Sequence, residues 1–367
     1  MRLQPSIGRV FNSTWPLRWL VLALGLTTIL MTVAMREVPR VVSAAQAPIL
    51  WGAWAGSSPL DSGTLDAFER RAGKRPSIIH WGQPWWHDQG YTAFSAPDFD
   101  AVRNRGAIPL LDWGSWDYCC GTNQPNFNLA SVYNGAHDGY LIQWAQAARA
   151  WNHPFFLRLN PEMNGWWLPW SEQTNGNQPG DFVRSWRHVI DVFRAQGANN
   201  VSWVWCPNVS SPLSTPLADM YPGDNYVDWT CMDGYNWGTD QGKQWQTFSE
   251  IFSGSAFNGY HDTYQEVLDV APGKPIMIGE TGTSHNGGDP AAWLSDALNV
   301  QLPDHFPRIK ALVWFNWNAG DVSLGWPIES SPATQRAFAE NIGSTYFASN
   351  DFGSMGPVAI APIGGNG

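Results

Sequence analysis

From Ile49 to Ile342 the sequence alternates short apolar runs with helix-like stretches, and the runs number eight. They cover 49–53, 77–81, 107–113, 154–159, 201–205, 227–232, 275–279 and 311–315. Each is too short for a helix and reads as a strand buried on both faces. Between them lie helical patterns near 60–72, 96–105, 140–151, 182–195, 263–270 and 291–300, with a last one near 333–342. Leu65 and Phe68 share a face in the first, and Leu141, Trp144, Ala148 and Trp151 form a stripe in the third. The pattern at 182–195 is the clearest, with Asp181 as expected N-cap and Gly197 beyond its end. Strands that alternate with helices build a parallel sheet, and eight such units close as a (β/α)8 TIM barrel of the α/β class. One catalytic domain is expected over 48–348. Residues 349–367 are rich in Gly, Pro and small residues and are expected to form a loose tail.

In a barrel of this kind the active site lies at the C-terminal ends of the strands. The second run ends at His80 and Trp81, and the third at Asp112, Trp113 and Trp116. The fourth ends at Asn160 and Glu162, and the fifth at Trp205 and Asn208. The sixth delivers Asp233, Tyr235 and Trp237, the seventh Glu280, and the eighth Trp314, Asn316 and Trp317. Nearly every end carries an indole, and two carry a glutamate.

Residues 153–170, HPFFLRLNPEMNGWWLPW, place Glu162 just past a buried strand and in front of Trp166, Trp167 and Trp170. A carboxyl walled by indoles is desolvated, so its proton stays on near neutral pH and can be given to a leaving oxygen. Arg158 sits inside the apolar run and must therefore have a buried partner. Residues 274–282, KPIMIGETG, bring Glu280 to the end of the seventh strand, with Gly279 allowing close backbone approach. The fourth and seventh strands lie across the barrel from each other, so their glutamates can face across its mouth. A glutamate that must stay ionised needs donors, and Tyr235 and Arg158 are placed to supply them.

The net charge of −10 argues against a nucleic-acid partner. The chain has 24 tryptophans and only 14% charged residues, more indoles than a core requires. Sugars present flat C–H faces edged by hydroxyls, so the excess points to a carbohydrate. Arg2, Arg9 and Arg18 precede an uncharged apolar run, 19–35, and Ala45-Gln46-Ala47 resembles a peptidase site. Residues 1–47 are expected to be a cleaved signal or a retained membrane anchor, with the body exported. Four cysteines suit an oxidising compartment. Adjacent Cys119 and Cys120, and Cys206 with Cys231 at two successive strand ends, are placed to pair, and four buried thiols remain the alternative.

The motifs RLNPEMNGWWLPW, VSWVWCPN, YPGDNYVDWTCMDGYNWG and KPIMIGETG, followed by a Trp-containing eighth strand, stand in that order. Over residues 50–345 the chain resembles glycoside hydrolase family 26. The resemblance implies a retaining, endo-acting β-glycanase, most often a β-1,4-mannanase, with some members acting on mixed-linkage glucan or β-1,3-xylan. It implies Glu162 as acid/base and Glu280 as nucleophile. Tyr235 is implied as the nucleophile's hydrogen-bond donor, with Trp167 and Trp170 as sugar-site walls. Further sugar contacts are expected from Arg158, Asn160, Trp237, Trp314, Trp81 and Trp113. No metal or organic cofactor is expected, and a monomer acting on a polysaccharide is. One position departs from the family, which has His immediately before the acid. Here Pro161 stands there and has no hydrogen to donate. Asn160 replaces it only if the turn is reshaped. The alternatives are a hydrolase of another β-glucan, a β-xylan or a bacterial exopolysaccharide, and a carbohydrate-binding barrel without activity.

Overall fold

The computed structural model describes residues 47–56, 58–255, 258–318 and 323–364. Residues 1–46 of the expected targeting segment, 19–35 included, lie outside the described residues. No helix among the described residues is long and apolar enough to cross a membrane.

Eight parallel strands form the barrel: β1 (Leu50–Trp54), β2 (Ile78–His87), β3 (Ile108–Asp117), β4 (Phe155–Leu159), β5 (Val201–Trp205), β6 (Trp229–Asp233), β7 (Ile276–Thr281) and β8 (Ile309–Phe315). Each pairs with the next, and β8 closes on β1 with Leu50 opposite Ala311. A helix follows every strand: α1 (Ser62–Ala72), α2 (Ala96–Asn104), α3 (Asp138–Trp151), α4 (Asp181–Ala195), the single turn α5 (Leu217–Met220), α6 (Thr263–Val270), α7 (Pro290–Asp296) and α8 (Pro332–Ile342). The expected alternation is present, with α5 a single turn where the sequence shows no helical pattern. In α4 the residues Phe182, Trp186, Val189, Ile190 and Phe193 recur at helical spacing and pack onto the sheet. Asp181 begins this helix instead of capping it. Gly180 occupies the cap, and the Asp181 carboxylate accepts from Gln178 N at 2.8 Å.

Alternation along the strands sorts the core into two layers. Leu50, Ile78, Ile108, Phe156, Trp229, Met277 and Ala311 fill the barrel near its N-terminal end. Residues of the other parity, among them Trp51, Trp81, Trp113 and Trp314, pack outward against the helices.

Two features differ from expectation. Strands β2 and β3 continue past the rim, paired Gly82 to Asp112 and Pro84 to Gly114, with a register shift before Trp86 meets Asp117. Gly82, Pro84 and Gly114 interrupt the apolar pattern, which hides this extension, and Pro84 stands where the ladder slips. A two-residue strand, Gly90–Tyr91, folds back onto the end of β2. The C-terminal segment through residue 364 is also not a loose tail. Ile360 is buried beneath the barrel, its N–H donates to Ser202 Oγ at 2.8 Å, and its carbonyl accepts from Trp229 Nε1 at 2.7 Å. Phe352, Met355 and Ile363 pack beside it. The apolar floor of the barrel would otherwise face water, so the segment is ordered by what it covers. Both expected cysteine pairs, Cys119–Cys120 and Cys206–Cys231, are bonded.

Candidate active site

Arg158 is the hub of the site. It is fully buried in β4, opposite Asp112 of β3. Its guanidinium donates to Glu280 Oε1 at 3.0 Å, pairs with Asp112 at 3.2 Å and reaches Asp233 of β6. His80 of β2 lies 2.9 Å from Asp112 and 3.3 Å from Arg158. The partner that a buried arginine requires is thus a ring of three carboxylates drawn from three strands.

Glu280 projects from β7 into the mouth of the barrel. Gly279 before it is needed for space: a Cβ there would lie 2.4 Å from Cys231 Sγ and 2.7 Å from Asp233 Oδ1. The second oxygen of Glu280 accepts from the Tyr235 hydroxyl. Tyr235 is held in turn by stacking on Trp326, with ring centroids 4.4 Å apart.

Glu162 is positioned by its turn. Its φ of 57° lies in the left-handed region, unusual for a residue with a side chain. Its N–H donates to Cys206 O at 2.7 Å, which ties the turn to the end of β5. Asn164 and Asn208 lock the two segments reciprocally: Asn164 Nδ2 donates to Asn208 O at 2.8 Å, and Asn208 N donates to Asn164 Oδ1 at 2.9 Å. This leaves Asn208 Nδ2 free to donate to Glu162 Oε1 at 2.6 Å, while Trp167 Nε1 donates to Oε2 at 2.7 Å. Gly165 lets the Trp167 ring fold back, since a Cβ there would meet it at 2.3 Å.

Carboxylate oxygens of Glu162, Glu280 and Asp233 lie within 4.8 Å of one another. The surroundings of the two glutamates differ. Burial, then the charge of Glu280, push Glu162 up to about 7 against its two neutral donors. Burial also raises Glu280, but a guanidinium pulls it back and a phenol donates to it. Burial and the neighbouring Glu280 keep the Tyr235 phenol protonated, hence a donor. Asp112 is held low by Arg158 and His80 in spite of its burial. Glu162 thus faces neutral donors, while Glu280 faces a cation and a phenol, the asymmetry that separating a proton from a negative charge requires.

Above the glutamates opens a cleft of about 1250 Å³. Trp166, Trp167 and Trp170 line it from the loop after β4, Tyr235 and Trp237 from the loop after β6, and Trp326 from the loop after β8. Of the residues expected to meet sugar, Trp167, Trp170, Tyr235 and Trp237 are there. Trp81, Trp113 and Trp314 are not. They share the outward parity of their strands and pack against Phe99, Trp144 and Phe338 respectively. Arg158 lies below the floor and acts through Glu280. Asn160 is buried, accepting from Ser115 N at 2.8 Å, so it does not take the place left by Pro161. The Pro161 carbonyl is itself occupied by Trp170 Nε1 at 2.7 Å. The sequence reading missed Trp326, which belongs to no periodic pattern, and Asn164, whose role exists only through Asn208.

An Arg158→Met variant leaves Asp112, Asp233 and Glu280 without their cation. We expect it to lose about 3–5 kcal/mol of stability, the scale for breaking a buried ion pair. Urea unfolding at neutral pH measures this, and a variant as stable as the parent would show that the ring needs no cation.

An eight-stranded barrel with two unequal glutamates at its mouth, beneath an indole-lined cleft, is the architecture of the barrel-type glycoside hydrolases. Residues 85–265 match Glycosyl hydrolase family 26. Endoglucanase H of Acetivibrio thermocellus is 36% identical over 302 residues, covering 80% of this chain and 30% of that protein. Beta-1,3-xylanase TXYA of a Vibrio species is 30% identical over 131 residues, covering 34% of this chain and 25% of that one. The chain thus spans less than a third of either relative's length. Among solved structures, a GH26 β-mannanase from Bacteroides ovatus superposes with a TM-score of 0.61 at 19% identity, over 86% of this chain and 93% of its own. The chain belongs to glycoside hydrolase family 26.

Proposed function

We propose that the chain is an endo-acting β-glycanase that retains anomeric configuration and cuts a β-linked glucan. The observation that carries this reading is the approach of the Glu162 and Glu280 oxygens to within 4.8 Å in unequal surroundings. Retaining pairs stand about 5–5.5 Å apart, whereas inverting pairs need about 6.5–9.5 Å to admit a water. Glu280 attacks the anomeric carbon as Glu162 protonates the departing oxygen. Glu162, now ionised, deprotonates the water that frees the glycosyl-enzyme. Arg158 and Tyr235 keep the attacking oxygen charged and aimed. An indole-walled cleft of about 1250 Å³ has room for several sugar units and suits an internal stretch of polymer.

Glucan is preferred on two grounds. The relative that aligns over most of this chain is named an endoglucanase. At Pro161 the family's histidine, a group that helps position the sugar 2-hydroxyl or the acid itself, is absent, and that hydroxyl is where mannose and glucose differ. Mannan is the second reading, since mannanase activity is what the family resemblance most often implies. Export, proposed from the Arg-led run at 19–35, fits the two bonded cysteine pairs.

The test is release of reducing ends from mixed-linkage β-glucan, carboxymethylcellulose, β-mannan and β-1,3-xylan, with the product anomer followed by proton NMR. Fastest release from a glucan, with β-product first, is expected. Fastest release from mannan selects the second reading. Binding without release from any polymer would mark a non-catalytic barrel, and α-product first would overturn the retaining mechanism.

A further inference from the structure

Beyond the indoles around the glutamates, strand β3 carries an outer set of cleft-facing groups, of which the sequence pattern places only Asp112 and Trp116 at the rim. Asp112, Gly114, Trp116 and Tyr118 alternate along β3 and its exit, and all four line the cleft. Their common face follows from the two-residue period of a strand. Asp112 stands beside Glu280 at the bottom of the cleft, and Tyr118 lies at the far end with 63% of its surface exposed. Tyr118 lies six positions beyond Asp112, about 20 Å of extended chain at roughly 3.3 Å per residue. The run therefore leads away from the cleavage point for several sugar units.

The face is continuous and aromatic. Trp170 meets Trp116 edge-on at 5.4 Å, Trp116 meets Tyr118 edge-on at 5.5 Å, and His87 from β2 lies 6.3 Å from Tyr118. Gly114 is required for it, because a Cβ there would meet the Trp170 ring at 2.7 Å. The outer end is also rigidly framed, which an idle surface tyrosine does not need. Tyr118 N donates to Trp86 O at 3.3 Å. The Cys119–Cys120 bridge follows directly. Buried Gln124 then clamps the loop: Asp117 N donates to its Oε1 at 2.8 Å, and its Nε2 donates to Asp117 O at 2.9 Å and Gly121 O at 2.6 Å.

We infer that Tyr118, with Trp116 and His87, forms an outer sugar platform that holds the polysaccharide away from the bond being cut. This rests on the proposed hydrolase function and deepens it. Rings presented on a fixed frame lose little entropy when a pyranose face settles on them. The platform is reached only by substrates long enough to extend from Glu162 to Tyr118, so its contribution depends on chain length.

The experiment compares kcat/KM of the parent, Tyr118→Ala and Tyr118→Phe on mixed-linkage gluco-oligosaccharides from trimer through hexamer. The Ala variant is expected to lose progressively more with length, reaching about fivefold on the hexamer, the scale of one aromatic contact. The loss should appear in KM and not in kcat. The Phe variant keeps the ring and is expected to retain the parent's length profile. A loss equal at every length, no loss on the hexamer, or an equal loss in Tyr118→Phe would overturn the platform while leaving the hydrolase intact. A parent chain that cleaves neither these oligomers nor any polymer of the panel overturns the hydrolase reading itself, and the platform with it.

Discussion

Replacing Glu280 with alanine is expected to abolish turnover of polysaccharide, by on the order of 10⁴-fold or more, the scale of losing a covalent nucleophile. Adding azide should restore activity and yield a glycosyl azide of inverted configuration. The small anion enters the space the side chain leaves and attacks once, where Glu280 and water attack in turn. Three features single out this carboxylate for attack. Arg158 donates to one oxygen at 3.0 Å, Tyr235 donates to the other, and Gly279 lets the strand pass close enough to aim both. None of these donors reaches the alanine, so the variant isolates the nucleophile while leaving Glu162 and its two donors in place. Activity near the parent's without azide would remove Glu280 from the mechanism. Rescue with retained configuration would mean that another group still forms a covalent intermediate.

The barrel was legible because its strands are buried on both faces and therefore appear as unbroken apolar runs, each separated from the next by helical periodicity. The glutamates were legible because function places them just past such runs, where an acidic residue has no packing reason to be. What failed was direction. Trp81, Trp113 and Trp314 stand at strand ends, as a sugar-binding indole should, but one residue out of phase with Asp112 and Glu280. In a strand one residue is the difference between the cleft and the helix layer. The sequence marks where a run ends more clearly than which face its last residue takes. Arg158 shows the converse. Its burial demands partners, of which the sequence offers only Glu280, since Asp112 and Asp233 come from two further strands whose register with β4 no spacing reveals. The C-terminal segment was misread because small residues signal flexibility only where nothing apolar waits beneath them. Here the floor of the barrel waits, and Ile360 covers it.

Glu162→Ala is expected to separate substrates by leaving group. On polysaccharide, whose departing sugar oxygen is strongly basic, the loss should be about 10²–10⁴-fold, the range for general acid catalysis. Aryl glycosides with acidic phenols depart without a proton, so their first step should be nearly spared. Their second step also loses its base. The glycosyl-enzyme then accumulates, which lowers KM and gives a burst of phenol, and azide should relieve it. The pH profile supplies the second signature. Burial and the charge of Glu280 push Glu162 up to about 7, so the acid form is present below that value and lost above it. In the parent, kcat/KM on polysaccharide should fall as pH rises through about 7, and in Glu162→Ala this alkaline limb should disappear. The cause is local. Glu162 receives only two uncharged donors, Asn208 and Trp167, while the cation of the site is turned toward Glu280. Equal losses on polysaccharide and on activated aryl glycosides, or an alkaline limb unchanged in the variant, would show that the proton comes from elsewhere. The pairing of a protonated and an ionised glutamate, on which the retaining mechanism depends, would then have no support from this site.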